Sequence, residues 1–128
     1  MLGDELNKIS ESAKQTALVE VRNYATNVYI PFLRNKMYEA ARIGKKSLRV
    51  FVYTEIVDQQ PPDYDPIQKL MSAFPETEKV IVDIVRQHFD SPTLLTSWHH
   101  RGTPNVPYHE LGLSFNWDPE HLSHVRRI

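Results

Sequence analysis

Residues 47–56 read Ser-Leu-Arg-Val-Phe-Val-Tyr-Thr-Glu-Ile and form the most strand-like stretch of the chain. They are rich in the β-branched and aromatic residues that favour strands. Alternate residues divide between the two faces of the strand: Leu48, Val50 and Val52 on one, Arg49, Phe51 and Tyr53 on the other. A strand that is apolar on both faces is either covered on both sides or turns one face toward a partner.

Two later stretches have the same alternation. Residues 93–100 place Leu94, Thr96 and Trp98 opposite Leu95, Ser97 and His99. In residues 111–117, apolar side chains alternate with Gly112, Ser114 and Asn116, which is typical of a half-buried strand. The two stretches are expected to pair as an antiparallel hairpin across the loop 101–110.

Helical periodicity dominates the first 43 residues. Apolar side chains recur at steps of three and four, which predicts an amphipathic helix over 2–28: Leu2, Leu6, Ile9, Ala13, Ala17, Val21, Tyr24 and Val28. Pro31 should kink or restart this helix, because proline removes a backbone donor and its ring clashes with the preceding turn. A second helix, 31–43, is expected to end at Gly44.

Three further helices are predicted at 66–74, at 76–89 and from Pro119 onward, the first and last opening with an aspartate cap followed by proline. The element order is therefore α-α-β-α-α-β-β-α. This order predicts an α+β domain in which helices cover a small, three-stranded, largely antiparallel sheet. Residues 1–128 are expected to form a single domain, with 1–30 as a long helix that extends toward a partner.

Composition excludes several classes of chemistry. The 128 residues contain no cysteine, which excludes disulfides, thiolate metal sites and a cysteine nucleophile. The formal charge of −1 provides no overall attraction to nucleic acid or to an anionic membrane.

The acidic start, Asp4 and Glu5, is unlike a signal peptide, and no apolar run is long enough to span a bilayer. The expectation is a soluble, intracellular protein that no classical signal secretes.

The narrow apolar stripe of the first helix has the spacing of a helix that packs along another helix. The leading hypothesis is therefore a non-enzymatic interaction or structural protein that self-associates or binds a protein partner. The predicted contact residues are Leu6, Ile9, Ala13, Ala17 and Val21.

A basic segment supplies the alternative function. Residues 34–49 carry six cations against the single acid Glu39. Such an excess suits the phosphates of a nucleic acid, although it also suits a solvated helix end. The predicted nucleic-acid contacts are Arg34, Lys36, Arg42, Lys45, Lys46 and Arg49.

Signals for catalysis are weaker. Five of the six histidines lie in the last thirty residues. A third hypothesis is a small metal-dependent hydrolase, in which the candidate ligands of a divalent metal are His109, His121 and His124. No metal-binding motif, nucleophile elbow or glycine-rich phosphate loop is present in the sequence. No enzymatic activity and no cofactor are therefore predicted.

The stretch 38–53, Tyr-Glu-Ala-Ala-Arg-Ile-Gly-Lys-Lys-Ser-Leu-Arg-Val-Phe-Val-Tyr, is followed by a helix and then by Leu-Thr-Ser-Trp at 95–98. This layout resembles that of small uncharacterised α+β proteins of large DNA viruses and bacteriophages. The resemblance implies a minor component of a viral particle, or an accessory factor, in the virion or the host cytoplasm. It carries over no functional residue.

Overall fold

The computed structural model describes residues 1–51, 64–101 and 110–125. They form helices α1 to α5 and strands β1 to β3 in the predicted order, which confirms the α+β fold class. The elements are α1 (Leu2–Tyr24), α2 (Ile30–Arg42), β1 (Ser47–Phe51), α3 (Tyr64–Ala73), α4 (Glu76–Phe89), β2 (Leu95–Arg101), β3 (Glu110–Asn116) and α5 (Pro119–Val125). The part of the first predicted strand after residue 51, and the loop 102–109, lie outside the described residues.

The sheet has the strand order β1-β3-β2, so the last strand lies in the centre. Both pairings are antiparallel, and β2 and β3 form the predicted hairpin. Val50 and Trp98 both lie opposite Leu113, whereas Arg49 and Ser97 both lie opposite Ser114. Side chains in such a row point to the same face of the sheet, so the register separates an apolar row from a polar row.

Helices cover the apolar face of the sheet. Val50, Leu113 and Phe115 are buried there, and the rings of Phe89 and Phe115 meet edge to face with their centroids 5.7 Å apart. Helix α2 packs on β1 and α4 packs on β2, while α1 lies along α4 and α3. One core therefore includes residues from all these layers.

The junction between the first two helices contains a π-helical turn just before Pro31. The chain stays helical from Leu2 to Arg42, but residues Ala25–Tyr29 form a π-helical turn in which the Ile30 amide donates to the Ala25 carbonyl. Pro31 follows directly. Because proline cannot donate and its ring displaces a carbonyl of the preceding turn, the wider π turn lets the helix pass this residue without ending.

Two predicted helix ends are confirmed. Gly44 has φ 85° at the end of α2, a left-handed conformation that glycine adopts without steric cost. The Asp118 carboxylate accepts a hydrogen bond from the Glu120 amide (3.1 Å) at the start of α5. In the described part of the chain, no helix combines the length and the apolar character that a membrane span requires.

Candidate protein-interaction site on the first helix

The apolar stripe of α1 is divided between the core and the solvent. Ala17 and Val21 are buried inside the chain's own core, together with Tyr24. Leu6 and Ile9, on the same side of the helix, are 53% and 66% exposed. Helix α1 therefore packs within the domain over its second half and leaves its apolar stripe exposed over its first half.

The buried half is held by α4 and α3. Val21 belongs to the same core cluster as Ile81 and Val85 of α4. The contact between α1 and α4 begins near Lys14, whose Nζ lies 3.7 Å from Oε1 of Glu76, the first residue of α4. The first three turns of α1 lie before this point, and all of residues 1–13 are exposed.

The five predicted contact residues therefore fall into two groups. Leu6, Ile9 and Ala13 remain accessible to a partner, whereas Ala17 and Val21 contact the chain's own core. Leu2, which also belongs to the stripe, is 69% exposed and extends the accessible group by one turn. A second molecule meeting α1 would contact the part of the stripe that precedes Lys14.

A groove continues the exposed stripe along the side of α1. It has a volume of about 610 Å³ and lies between α1 and α3. Its apolar walls are Ile9, Ala13 and Ala17 of α1 together with Leu70 and Phe74. The sequence shows the apolar periodicity of Leu70 and Phe74, but their position beside α1 depends on how α3 packs, which periodicity alone does not determine.

The six cations of the predicted nucleic-acid patch differ in their surroundings. Three of them contact groups of their own chain: the Arg34 guanidinium donates to Nε2 of His88 (2.6 Å), and Lys36 Nζ is 3.5 Å from Oε2 of Glu39. Arg42 lies 5.8 Å from the centre of the Tyr38 ring. The remaining three are exposed at the turn after α2 and on β1: Lys45, Lys46 and Arg49.

The described residues do not assemble the predicted histidine site. His121 and His124 are exposed on α5, and His109 lies outside the described residues. Within the described ranges, no three histidine or carboxylate side chains are close enough together to hold a metal ion. The metal hypothesis therefore gains no geometric support from this part of the chain.

Comparison of the chain with known protein families, with curated proteins and with solved structures finds no match in any of the three. The functional argument therefore depends on the chain's own residues.

Proposed function

We propose that the protein is a non-enzymatic interaction protein that self-associates through the first three turns of α1. The observation that carries this proposal is the exposure of Leu2, Leu6 and Ile9 on the side of α1 that is buried farther along the helix. Apolar side chains in a continuous stripe gain free energy when they leave water, by about 25 cal/mol per Å² of buried area. A partner surface supplies that burial.

A second copy of the chain fits this stripe in an antiparallel arrangement. With Leu6 opposite Ile9 of the second copy, Leu2 lies opposite Ala13, so the ends of the contact pair a large side chain with a small one. This places Leu2 beside the groove between α1 and α3 of the other molecule. A parallel pair would instead run toward Ala17 and Val21, which are already buried against the chain's own core.

The geometry predicts a reversible dimer. Three helical turns extend over about 16 Å, and two such stripes form an interface smaller than the roughly 800 Å² per partner that is typical of stable complexes. The antiparallel pair has two-fold symmetry, so each molecule offers the same surface and the assembly closes at two copies. We therefore expect the fraction of dimer to rise with protein concentration.

Light scattering across a concentration series tests the proposal. The wild-type mass should rise from monomer toward dimer, and the double variant Leu6→Asp, Ile9→Asp should remain a monomer with unchanged circular dichroism. A matched control is Val19→Asp, because Val19 is 52% exposed on the same helix, roughly a third of a turn away from the stripe. A wild-type monomer at all concentrations, or equal loss of dimer in the control, would refute self-association.

Nucleic-acid binding through residues 34–49 is the alternative function and has less support. Three of its six cations already contact His88, Glu39 and Tyr38 of the same chain. Recording absorbance at 260 and 280 nm through the same light-scattering peak tests this alternative directly. A protein that purifies with nucleic acid would favour it, and the variant Lys45→Glu, Lys46→Glu should then reduce the 260 nm signal.

The biological setting is part of the proposal. The resemblance of residues 38–53 and 95–98 to small proteins of large DNA viruses and bacteriophages supports a role as a minor particle component or accessory factor inside an infected cell. A dimer with two-fold symmetry suits such a role because it presents two identical copies of each remaining surface. Detection of the protein in purified particles would test this setting.

A further inference from the structure

The face of the sheet opposite helices α2 and α4 carries rows of aligned, mostly polar side chains. Arg49 on β1, Ser114 on β3 and Ser97 on β2 lie opposite one another in the register. Neighbouring side chains in such a row are about 5 Å apart at Cβ, so one small ligand can contact all three. The next row adds Ser47, Asn116 and Leu95.

This face forms the floor of a basin with a volume of about 760 Å³. Lys45, from the turn before β1, and His121, on α5, lie at its rim. No carboxylate is among the described residues that line it. Lys45 and Arg49 are both exposed, and within the described ranges neither forms an ion pair.

We infer that this basin binds a phosphate group. Arginine can donate two parallel hydrogen bonds to phosphate oxygens, and the hydroxyls of Ser97 and Ser114 can donate to the others. Lys45 adds a second positive charge on a flexible side chain, which can reach a phosphate oxygen from several directions. The basin thus offers guanidinium, ammonium and hydroxyl donors, and its described lining contains no carboxylate. This combination suits an anion that has several acceptor oxygens.

The size of the basin indicates a phosphate carried on a small organic molecule. Pockets of 300–1,000 Å³ typically hold ligands of that size, and inorganic phosphate fills only a small part of 760 Å³. Leu95, which is half-buried and lies on the same face as Ser97, adds apolar surface where the rest of the ligand can pack. A nucleoside monophosphate is therefore a suitable first probe.

Amide chemical shifts report the binding residue by residue. Isotope-labelled protein is titrated with inorganic phosphate and with a nucleoside monophosphate at constant ionic strength, with chloride as the reference anion. We expect the Arg49, Ser97 and Ser114 amides to shift with both phosphates, and the nucleoside monophosphate to bind more tightly. Arg49→Gln should weaken binding about tenfold or more, as expected for the loss of a charged hydrogen bond.

The controls separate a site from general charge attraction. Arg86→Gln removes the same charge from α4, which packs on the covered face of the sheet, and should leave the affinity unchanged. Ser114→Ala tests a donor without changing the charge and should also weaken binding. Equal shifts with chloride, or equal weakening by Arg49→Gln and Arg86→Gln, would overturn the inference.

A third titration, with a single-stranded oligonucleotide, distinguishes the source of the phosphate. Binding of the nucleoside monophosphate with a similar affinity to the oligonucleotide supports a site for one small ligand. Binding of the oligonucleotide without any response to the two small phosphates would overturn the inference in favour of an extended nucleic-acid surface. This site is independent of α1, so it stands or falls separately from self-association.

Discussion

Two buried threonines show how the surroundings of one hydroxyl decide its effect on stability. Thr77 Oγ1 donates to the Phe74 carbonyl (2.6 Å) just after the start of α4. The Thr96 amide donates to Oδ1 of Asp90 (2.9 Å), but among the described residues its buried hydroxyl has no hydrogen-bond partner. A buried hydroxyl without a partner loses its contacts with water and gains nothing in return.

Thr96→Val should therefore stabilise the protein. The substitution keeps the shape of the side chain, removes the unpaired hydroxyl and suits a strand, so we expect the free energy of unfolding to rise by about 1 kcal/mol. Thr77→Val is the matched comparison and should lower it by about 1 kcal/mol, because it removes a hydrogen bond that is made. Urea unfolding followed by circular dichroism measures both. A loss of stability in Thr96→Val would show that its hydroxyl is satisfied.

The sequence predicts on which face of a strand a side chain lies, but it does not predict which side chains of other strands lie beside it. The alternation in residues 47–51 predicts that Val50 and Arg49 lie on opposite faces, and the structure confirms it with Val50 buried and Arg49 exposed. The alignment of Arg49 with Ser97 and Ser114 could not be predicted. It depends on the register of two separate strand pairings, which local patterns do not specify.

At the scale of elements, the apolar periodicity of α1 predicts the helix but does not predict which part of it is buried. The spacing from Leu2 to Tyr24 predicts one amphipathic helix, and the structure confirms the helix. The same spacing does not show that Ala17 is buried by its own chain while Leu6 is exposed. That division follows from the position of α4, whose contact with α1 begins near Lys14.

This division predicts two levels of hydrogen exchange within α1. An isolated helix of fewer than about 12–15 residues is only marginally stable, so the amides of residues 2–13 should exchange quickly in the monomer. The amides of residues 17–24 should be protected because that half is packed in the core. Exchange measured by mass spectrometry at low protein concentration tests this prediction.

The same experiment at high concentration links the helix to the dimer. Protection of residues 2–13 should increase as copies pair, and the variant Leu6→Asp, Ile9→Asp should show no such increase. Uniform protection along α1 at low concentration would mean that another part of the chain covers its first half. An increase in the double variant would place the dimer contact elsewhere.

At the scale of the whole molecule, the order of elements could be predicted but their layering could not. Hydrophobic periodicity, proline and glycine mark each element and thus indicate the fold class. The central position of β3 could not be predicted, because β1 and β3 pair although about half of the chain separates them. One face of β3 carries the buried Leu113 and the other carries the small polar Ser114, which suits a central strand that the described helices cover on its apolar face.

One core that contains residues of α1, α2, α4 and the sheet predicts that the helices and the sheet unfold together. Far-UV circular dichroism reports the helices, and fluorescence reports Trp98 on β2 and Trp117 just after β3. In the monomeric variant Leu6→Asp, Ile9→Asp, both signals should give the same urea midpoint.

Adding Leu33→Ala removes a fully buried side chain of α2. The substitution should lower the free energy of unfolding by about 2–5 kcal/mol and lower both midpoints equally. A shift in the helical signal alone would mean that α2 and the sheet unfold as separate units, contrary to the single domain that the sequence predicts.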